Sequence, residues 1–516
     1  MRKFIERLSN RLIKFLTSRV FFVAMILILQ LATILLVITG LGTNIKWIRN
    51  TLNIINILLI LRVINQYKNT AYKLTWALII GVLPLFGGIL YLMFAERKVP
   101  KALRGRIVQS FAESRHILKD TEDIEIDDPD IRYIYNYLKD TSSYPYYKDT
   151  SVRYFKIGEE YFDVLLEEIA KAEHFIFIET FIIKDGYMLK KLTSALKDRI
   201  AHGVKVYMLY DDGGCITCLP QDFDKHMRSI GIKVYAFSPV SIRLSLLSKT
   251  NNRSHRKMVV IDDRVAFTGG YNIADEYINH IVRFGHWKDT GCMLEGEAVW
   301  SFTLMFIQFY NATVKEEEKL DYIDFRYRYD APQIDDLILP FSDSPTDDDD
   351  ISRSVHYMLI THAKKYIYIH TPYLVLDYDM VNSLCLASKA GVEVIITVPH
   401  IPDKKTVFML TRSHYKILLE AGVKIYEYTP GFIHSKLVIV DDKIASIGTF
   451  NMDYRSYYLN YECGVLIAQS DEISKMKWDY LATLAVSERI DLEKVKKTNI
   501  FIKLVQAIMN VFSPLM

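Results

Sequence analysis

One short pattern, present twice, constrains this 516-residue chain more than any other feature. His255-Arg256-Lys257-Met258-Val259-Val260-Ile261-Asp262 and His434-Ser435-Lys436-Leu437-Val438-Ile439-Val440-Asp441 both read H-x-K-x4-D. Each copy is followed, at the same offset, by a small residue and an asparagine: Gly270 and Asn272 after the first, Thr449 and Asn451 after the second. A single copy of so short a motif is weak evidence, but two copies with matching downstream residues point to a duplicated fold. The neighbouring sequence repeats in the same order. Phe175-Ile176-Phe177-Ile178-Glu179-Thr180 corresponds to Tyr366-Ile367-Tyr368-Ile369-His370-Thr371, and Gly231-Ile232-Lys233-Val234-Tyr235 to Gly422-Val423-Lys424-Ile425-Tyr426.

Between the repeated apolar runs lie helix-length segments such as 189–201 and 404–421. Strands alternating with helices indicate an α/β fold. A repeat of about 180 residues means two homologous domains, not a solenoid. The expected organisation is a membrane region over 1–106, a first domain over 107–335 carrying motif 255–262, and a second over 336–516 carrying motif 434–441 and a C-terminal amphipathic helix. The two domains would share one central active site. The first half carries about a dozen extra residues just before its motif. These fall in the apolar and basic run 240–250, either a loop touching lipid at the site mouth or a packed surface loop.

Uncharged runs at 20–41 and 75–95 are each long enough to cross a bilayer core of about 30 Å. The first is too long for the apolar core of a typical signal peptide and lacks a clear cleavage site, so it reads as a retained anchor. A third hydrophobic segment, 51–64, could be a short span or an interfacial helix. Basic residues precede the first run (Arg2, Lys3, Arg7, Arg11) and follow the last (Arg97, Lys98, Lys101). Positive flanks stay cytoplasmic, so the expected localisation is the cell membrane, multi-pass, with the large domain on the cytoplasmic side. The C-terminal stretch 494–512, basic and then apolar, is expected to lie on a membrane surface.

Composition excludes other classes. A chain 50% hydrophobic and 24% charged is not disordered. A balance of 64 Lys+Arg against 61 Asp+Glu argues against a dedicated nucleic-acid binder. Five scattered cysteines do not form a disulfide framework, and Cys215-Ile216-Thr217-Cys218 lacks the second pair of a zinc site. The acidic run in 342–350 reads as a cap for a helix beginning near Ile351, not as a metal site. No metal or other cofactor is expected.

On a strand, residues i and i+2 share a face. His255 therefore projects with Lys257, and His434 with Lys436. The full motif set is His255, Lys257, Asp262, His434, Lys436 and Asp441, but the aspartates stand at an odd offset and are expected mainly to close a strand-turn. Brought together, the halves would supply two lysines and two amides, Asn272 and Asn451, to bind a phosphate. One neutral histidine could attack phosphorus while the other, protonated, serves the leaving oxygen. That is covalent catalysis through a phosphohistidine. Each histidine needs a carboxylate on its second nitrogen, and Asp289 and Glu462, at matching places in the repeat, are the candidates.

These paired motifs resemble those of the phospholipase D superfamily. More narrowly, the chain is similar to bacterial cardiolipin synthases in Trp76 and the Leu-Pro-Leu-Phe-Gly-Gly run that follows it, Gly285-His286-Trp287-Lys288-Asp289-Thr290, Asp343-Ser344-Pro345, Ile401-Pro402-Asp403-Lys404-Lys405 and Tyr426 through His434-Ser435-Lys436. The resemblance implies partners in the membrane, phosphatidylglycerol as substrate and cardiolipin as product, with no nucleic acid. One phosphatidylglycerol would pass its phosphatidyl group to a histidine and release glycerol, and a second would accept it. His255 would be the nucleophile and His434 the acid and then the base. The competing enzyme reading is a phospholipase D-type hydrolase releasing phosphatidic acid.

Overall fold

The computed structural model describes residues 46–66, 69–83, 86–95, 99–118, 125–142, 144–239, 252–329, 334–347 and 349–515. Two of the expected features, the run 20–41 and the insertion 240–250, lie outside them. The chain divides into two compact units. One comprises 1–100, 239–252 and 508–516; the other comprises 101–238 and 253–507.

In the smaller unit the expected continuous span over 75–95 is instead two helices, Thr70–Val82 and Gly87–Phe94. The break has a local cause. Leu83 precedes a proline, which disfavours the helical region for the residue before it, and Leu83 has φ −114° and ψ 69°. The helices then pack closely: a Cβ on Gly87 would lie 2.4 Å from the Ile79 carbonyl oxygen. Val63, Tyr72, Trp76, Ile80, Leu90 and Tyr91 form the core, with the Trp76 and Tyr91 rings edge to face at 5.4 Å. The segment 51–64 falls within the helix Lys46–Ile64. Among the described residues, no helix is long and apolar enough to cross a membrane.

The larger unit holds both halves of the repeat. The first half contributes strands β1 (Thr150–Phe155), β2 (Phe175–Thr180), β3 (Lys205–Asp211), β4 (Lys233–Phe237), β5 (Met258–Ile261), β6 (Val265–Gly269), β7 (His286–Lys288) and β8 (Gly291–Gly296). The second contributes β9 (Leu337–Asp343), β10 (Tyr366–His370), β11 (Leu374–Val375), β12 (Glu393–Pro399), β13 (Lys424–Tyr428), β14 (Gly431–Ile433), β15 (Leu437–Val440), β16 (Ile444–Gly448), β17 (Met452–Asp453), β18 (Glu462–Ala468) and β19 (Ser487–Arg489). The large sheets run β1-β8-β6-β5-β2-β3-β4 and β19-β13-β12-β10-β15-β16-β18-β9. With β19 set aside, the second order reproduces the first strand for strand. In each, a parallel trio (β2-β3-β4, β10-β12-β13) adjoins an antiparallel set that begins with the motif strand, β5 or β15. The result is two α/β domains with mixed sheets.

Each half has its own apolar core, and the helix Val299–Thr313 is buried almost all round. Val and Ile fill three of the four places in each motif strand, and both strands are fully buried, as expected of strands covered on both faces. Each ends in a two-residue turn with both residues at positive φ: Asp262 and Asp263 at 55° and 56°, Asp441 and Asp442 at 55° and 60°. This left-handed pair matches the twist of a tight hairpin, and aspartate tolerates it.

The helix expected near Ile351 spans Ile351–His362, and its cap comes from within the acidic run 342–350. Asp350 at the terminus makes no side-chain cap. Asp343, at the end of β9, accepts instead from the Ser352 backbone N–H at 2.8 Å. The C-terminal helix spans Ile500–Phe512.

Candidate active site

Two backbone exchanges bring the motifs together. The His255 N–H donates to the Tyr461 carbonyl at 2.9 Å, and the Tyr461 N–H donates to the Arg253 carbonyl. In the other direction β14 pairs in parallel with β7, placing Phe432 opposite Trp287, and the His434 N–H donates to the Lys288 carbonyl at 2.7 Å. Each histidine is thus stitched to the residue just before a carboxylate of the opposite half, Glu462 after Tyr461 and Asp289 after Lys288.

The side chains follow that backbone. His255 Nδ1 lies 2.9 Å and 3.0 Å from the two Glu462 oxygens, across 207 residues of sequence. His434 Nδ1 lies 2.6 Å from Asp289 Oδ2, across 145 residues. The pairing is reciprocal: each half supplies the carboxylate that holds the other half's histidine. With Nδ1–H donating to a carboxylate, Nε2 keeps its lone pair for chemistry.

Supporting groups differ between the halves. Glu462 also accepts from the Thr449 hydroxyl and, at 3.2 Å, from the Asn460 amide. Asp289 accepts from the Thr290 N–H at 2.9 Å. Where the second half has Thr449, the first has Gly270, and a Cβ there would fall 1.9 Å from Asp289 Oδ1. The Asp289 carboxylate occupies that space. The small residue in each copy therefore shapes the carboxylate of the other's histidine.

Lys257 Nζ donates to the His255 carbonyl at 2.6 Å, and Lys436 Nζ donates to that of His434. One of the three ammonium protons is used in each, leaving the others for a ligand. The intervening residues turn away. Arg256 is wholly buried against Glu179 at 2.6 Å, and the Ser435 hydroxyl lies 2.6 Å from that of Thr290.

Electrostatics joins the four motif side chains into one site. Burial pushes the His255 imidazole down to about 4; Glu462 opposes this, and Lys257 and Lys436 reinforce it. Burial, then Lys436, brings His434 to about 3 against the pull of Asp289. Lys257 falls to about 8 and Lys436 to about 7, in both cases chiefly by burial, and Lys257 further disfavours charge on Lys436. Burial works to raise Glu462 and Asp289, but His255 and Lys257 in one case, and His434 and Lys436 in the other, hold both below the ordinary carboxylate range. The resting arrangement is a neutral imidazole on each ionised carboxylate.

Asp262 and Asp441 are not brought to this cluster. Asp262 accepts from the backbone N–H groups of Glu173, His174 and Phe175 at 2.6–2.8 Å. Asp441 accepts from those of Lys364, Lys365 and Tyr366 at 2.7–2.8 Å. Each ties the far end of its motif strand to the start of β2 or β10. Asn272 and Asn451 follow β6 and β16. The Asn272 Oδ1 accepts from the Ile182 N–H at 3.0 Å and its amide donates to the Tyr277 hydroxyl at 2.6 Å. Asn451 is buried, with no partner for its Oδ1 among the described residues.

Sequence reasoning missed the aromatic walls. His434 is enclosed by Tyr277 and Trp287, each with ring centroid at 5.4 Å, and by Phe432 at 5.8 Å. His255 has the edge of Phe181 at 5.0 Å. Trp287 and Phe432 precede Asp289 and His434 by two, the spacing that places residues on one strand face, so two of the four were legible. Among the described residues, no cluster of His, Cys, Asp and Glu could hold a metal ion, and Cys215 and Cys218 are free thiols.

Known proteins agree with this architecture. The family described as cardiolipin synthase, PLD-like domain matches residues 165–282 and again 357–482, and a family described as phospholipase D-nuclease N-terminal matches residues 54–95. An uncharacterised protein of Streptococcus mutans is 38% identical over 89% of this chain and 99% of its own length. A cardiolipin synthase of a Geobacillus species is 34% identical over 87% of this chain and 90% of its own. Cardiolipin synthase 2 of Bacillus anthracis is 31% identical over 87% and 88%. Among solved structures, a phosphatidylserine synthase of Haemophilus influenzae shares the fold with a TM-score of 0.54 at 14% identity, covering 70% of this chain and 92% of that one. With the halves superposable in strand order and the motifs facing one another, the chain belongs to the cardiolipin synthase family of the phospholipase D superfamily.

Proposed function

We propose that this protein is a phosphatidyltransferase that converts two molecules of phosphatidylglycerol into cardiolipin and glycerol. The observation that carries the reading is the reciprocal pair of histidine–carboxylate bonds with a lysine beside each. Nε2 of one neutral imidazole, His255 by family resemblance, attacks phosphorus of the first phosphatidylglycerol. A P–N bond forms, the P–O bond to glycerol breaks, and His434 in its protonated form gives the leaving oxygen its proton. His434 then takes the proton from the terminal hydroxyl of a second phosphatidylglycerol as that oxygen attacks phosphorus and the P–N bond breaks.

Entry of an anionic phosphate favours the protonated imidazole that burial disfavours, so substrate binding arms the acid. Lys257 and Lys436 carry the positive charge that steadies the phosphoryl oxygens. Asn272 and Asn451 are assigned to shaping the phosphate pocket, and Asp262 and Asp441 to holding the motif strands. The domain limits are taken as 1–106, 107–335 and 336–516.

The first of these is assigned as a multi-pass membrane region with the catalytic domain on the cytoplasmic side. In support, the helices Lys46–Ile64 and Thr70–Val82 leave Ile54, Leu58, Leu61 and Leu74 exposed by 51–69%. The catalytic test uses the full chain in detergent with phosphatidylglycerol. Cardiolipin with equimolar glycerol is expected, and phosphatidic acid as the main product would overturn transfer in favour of hydrolysis. Acid-sparing mass spectrometry during turnover is expected to find phosphorus on His255.

A further inference from the structure

Large apolar side chains stand exposed on three segments that are tied to the walls of the site. The loop between Asn279 and β7 carries Ile281, 47% exposed, and Val282, 84% exposed. Its base is fixed: the Asn279 side chain accepts from the Trp287 N–H at 2.7 Å and donates to the Trp287 carbonyl at 2.9 Å, and the Trp287 ring lies against His434. Ile401 packs beside Gly285 of the same loop and is itself 38% exposed. On the His255 side, Ile216 is 64% exposed. The residue before it, Cys215, donates to the carbonyl of Phe181, whose ring edges His255.

These segments adjoin one another. Cys215 Sγ accepts from the Ile183 N–H at 3.3 Å, and the next residue, Lys184, pairs with Glu276, which also holds Arg283 at 2.9 Å; this joins the Ile216 turn to the 279–285 loop, and Ile401 beside Gly285 continues the patch into the second half. Charge is interleaved with the apolar tips. Lys184 and Arg283 share the single carboxylate of Glu276, leaving an excess positive charge, and Lys404, three residues after Ile401 and 59% exposed, pairs loosely with Asp403 at 3.7 Å. Exposed apolar tips rimmed by cations suit a bilayer surface bearing anionic headgroups, where the tips enter the acyl boundary and the cations meet phosphates. Isolated exposed leucines or isoleucines need no explanation, but a group on three segments tied to the walls of one site does.

We propose that the rim formed by Ile216, Ile281, Val282 and Ile401, with Arg283 and Lys404, docks the active-site mouth onto an anionic phospholipid bilayer, so that lipid headgroups enter without leaving the interface. This rests on the lipid substrate proposed above and names how that substrate is delivered. A lipid headgroup would reach the histidines along the aromatic wall of Trp287 and Phe432 while its acyl chains stay in the membrane.

The full chain carrying Val282→Cys, labelled with an environment-sensitive fluorophore, is reconstituted into vesicles of phosphatidylcholine and phosphatidylglycerol, with the labelled parent as background. Doxyl-labelled phosphatidylcholine is expected to quench the label. Unquenched emission, or an effect seen only as a change in oligomeric state, would overturn the proposal whether or not the enzyme turns over. In a second arm, Ile281→Ser/Val282→Ser is expected to lower cardiolipin formation from vesicle phosphatidylglycerol about tenfold while leaving turnover of monomeric short-chain phosphatidylglycerol as in the parent. Equal loss on both substrates, or loss on neither, would refute lipid docking by this rim.

Discussion

At the residue scale, the site depends on each histidine having one nitrogen committed and one free. Glu462→Gln and Asp289→Asn keep the shape of the carboxylates but allow the wrong tautomer. Each is expected to lower kcat on the order of 10³-fold with little change in KM, measured by cardiolipin release in detergent. Thr449→Val removes one donor to Glu462 and leaves the Asn460 bond, so a smaller loss, about tenfold, is expected. If Thr449→Val matched Glu462→Gln, the hydroxyl would have a larger part than holding a carboxylate. The lysines set the alkaline limit. Lys436 at about 7 and Lys257 at about 8 lose their charge as pH rises through those values, and kcat/KM is expected to fall in that window. Lys436→Arg keeps its charge, so its residual activity should persist to higher pH; an unmoved alkaline limb would assign the limit to another group.

At the scale of elements, the motif aspartates act through strands. Asp262 satisfies three backbone donors at the start of β2 and is buried, while Asp441 does the same for β10 from a more exposed position. Orphaned buried donors are more costly than solvated ones. Asp262→Ala is therefore expected to destabilise by about 2–4 kcal/mol and Asp441→Ala by less, read from urea midpoints at constant slope. A reversed order would mean that the two turns are not equivalent anchors. The same logic explains the cap of the helix Ile351–His362. Acidic residues crowd its N-terminus in sequence, yet the one that reaches the Ser352 N–H is Asp343, because β9 ends where its side chain can turn back. Composition marks a helix start; geometry chooses the capping residue.

At the scale of the whole molecule, the catalytic unit is two halves that complete one another. Neither motif has its carboxylate within its own half, so a protein limited to residues 101–335 would present His255 without Glu462 or the Tyr461 backbone. We expect the catalytic unit to unfold in one calorimetric transition, since the site and the β7–β14 pair cross between halves; two separated transitions within it would overturn this. Acid stability follows from the same burial. His255 and His414 at about 4, and His434 and His356 at about 3, are held below the ordinary histidine value. Between pH 6.5 and about 4 these histidines bind protons in the unfolded chain but not in the folded one, so their contribution to stability is fully present above pH 6.5 and lost as pH falls through that window, while Asp263 and Asp343, raised by burial to about 7, act in the opposite direction. His356→Gln removes one of these groups, so from pH 7 to pH 4 its urea midpoint should fall less, relative to its own value at pH 7, than that of the parent.

The amino-acid sequence by itself determined the duplication, the strand-helix alternation, the shared face of each His–Lys pair and the outward turn of each aspartate. All of these follow from periodicity and spacing within a few residues. It also pointed to Asp289 and Glu462 as a pair, because the repeat sets them at equivalent positions. Which histidine each carboxylate serves was decided only by the tertiary structure, since the partners lie 145 and 207 residues away and meet through the exchange of backbone hydrogen bonds between sheets. So were the aromatic enclosure of His434, the depressed titration of both lysines and the break at Leu83 in a run that reads as continuous. A side chain's direction is local and survives in the sequence pattern; its burial and its partner depend on what the rest of the chain packs against it.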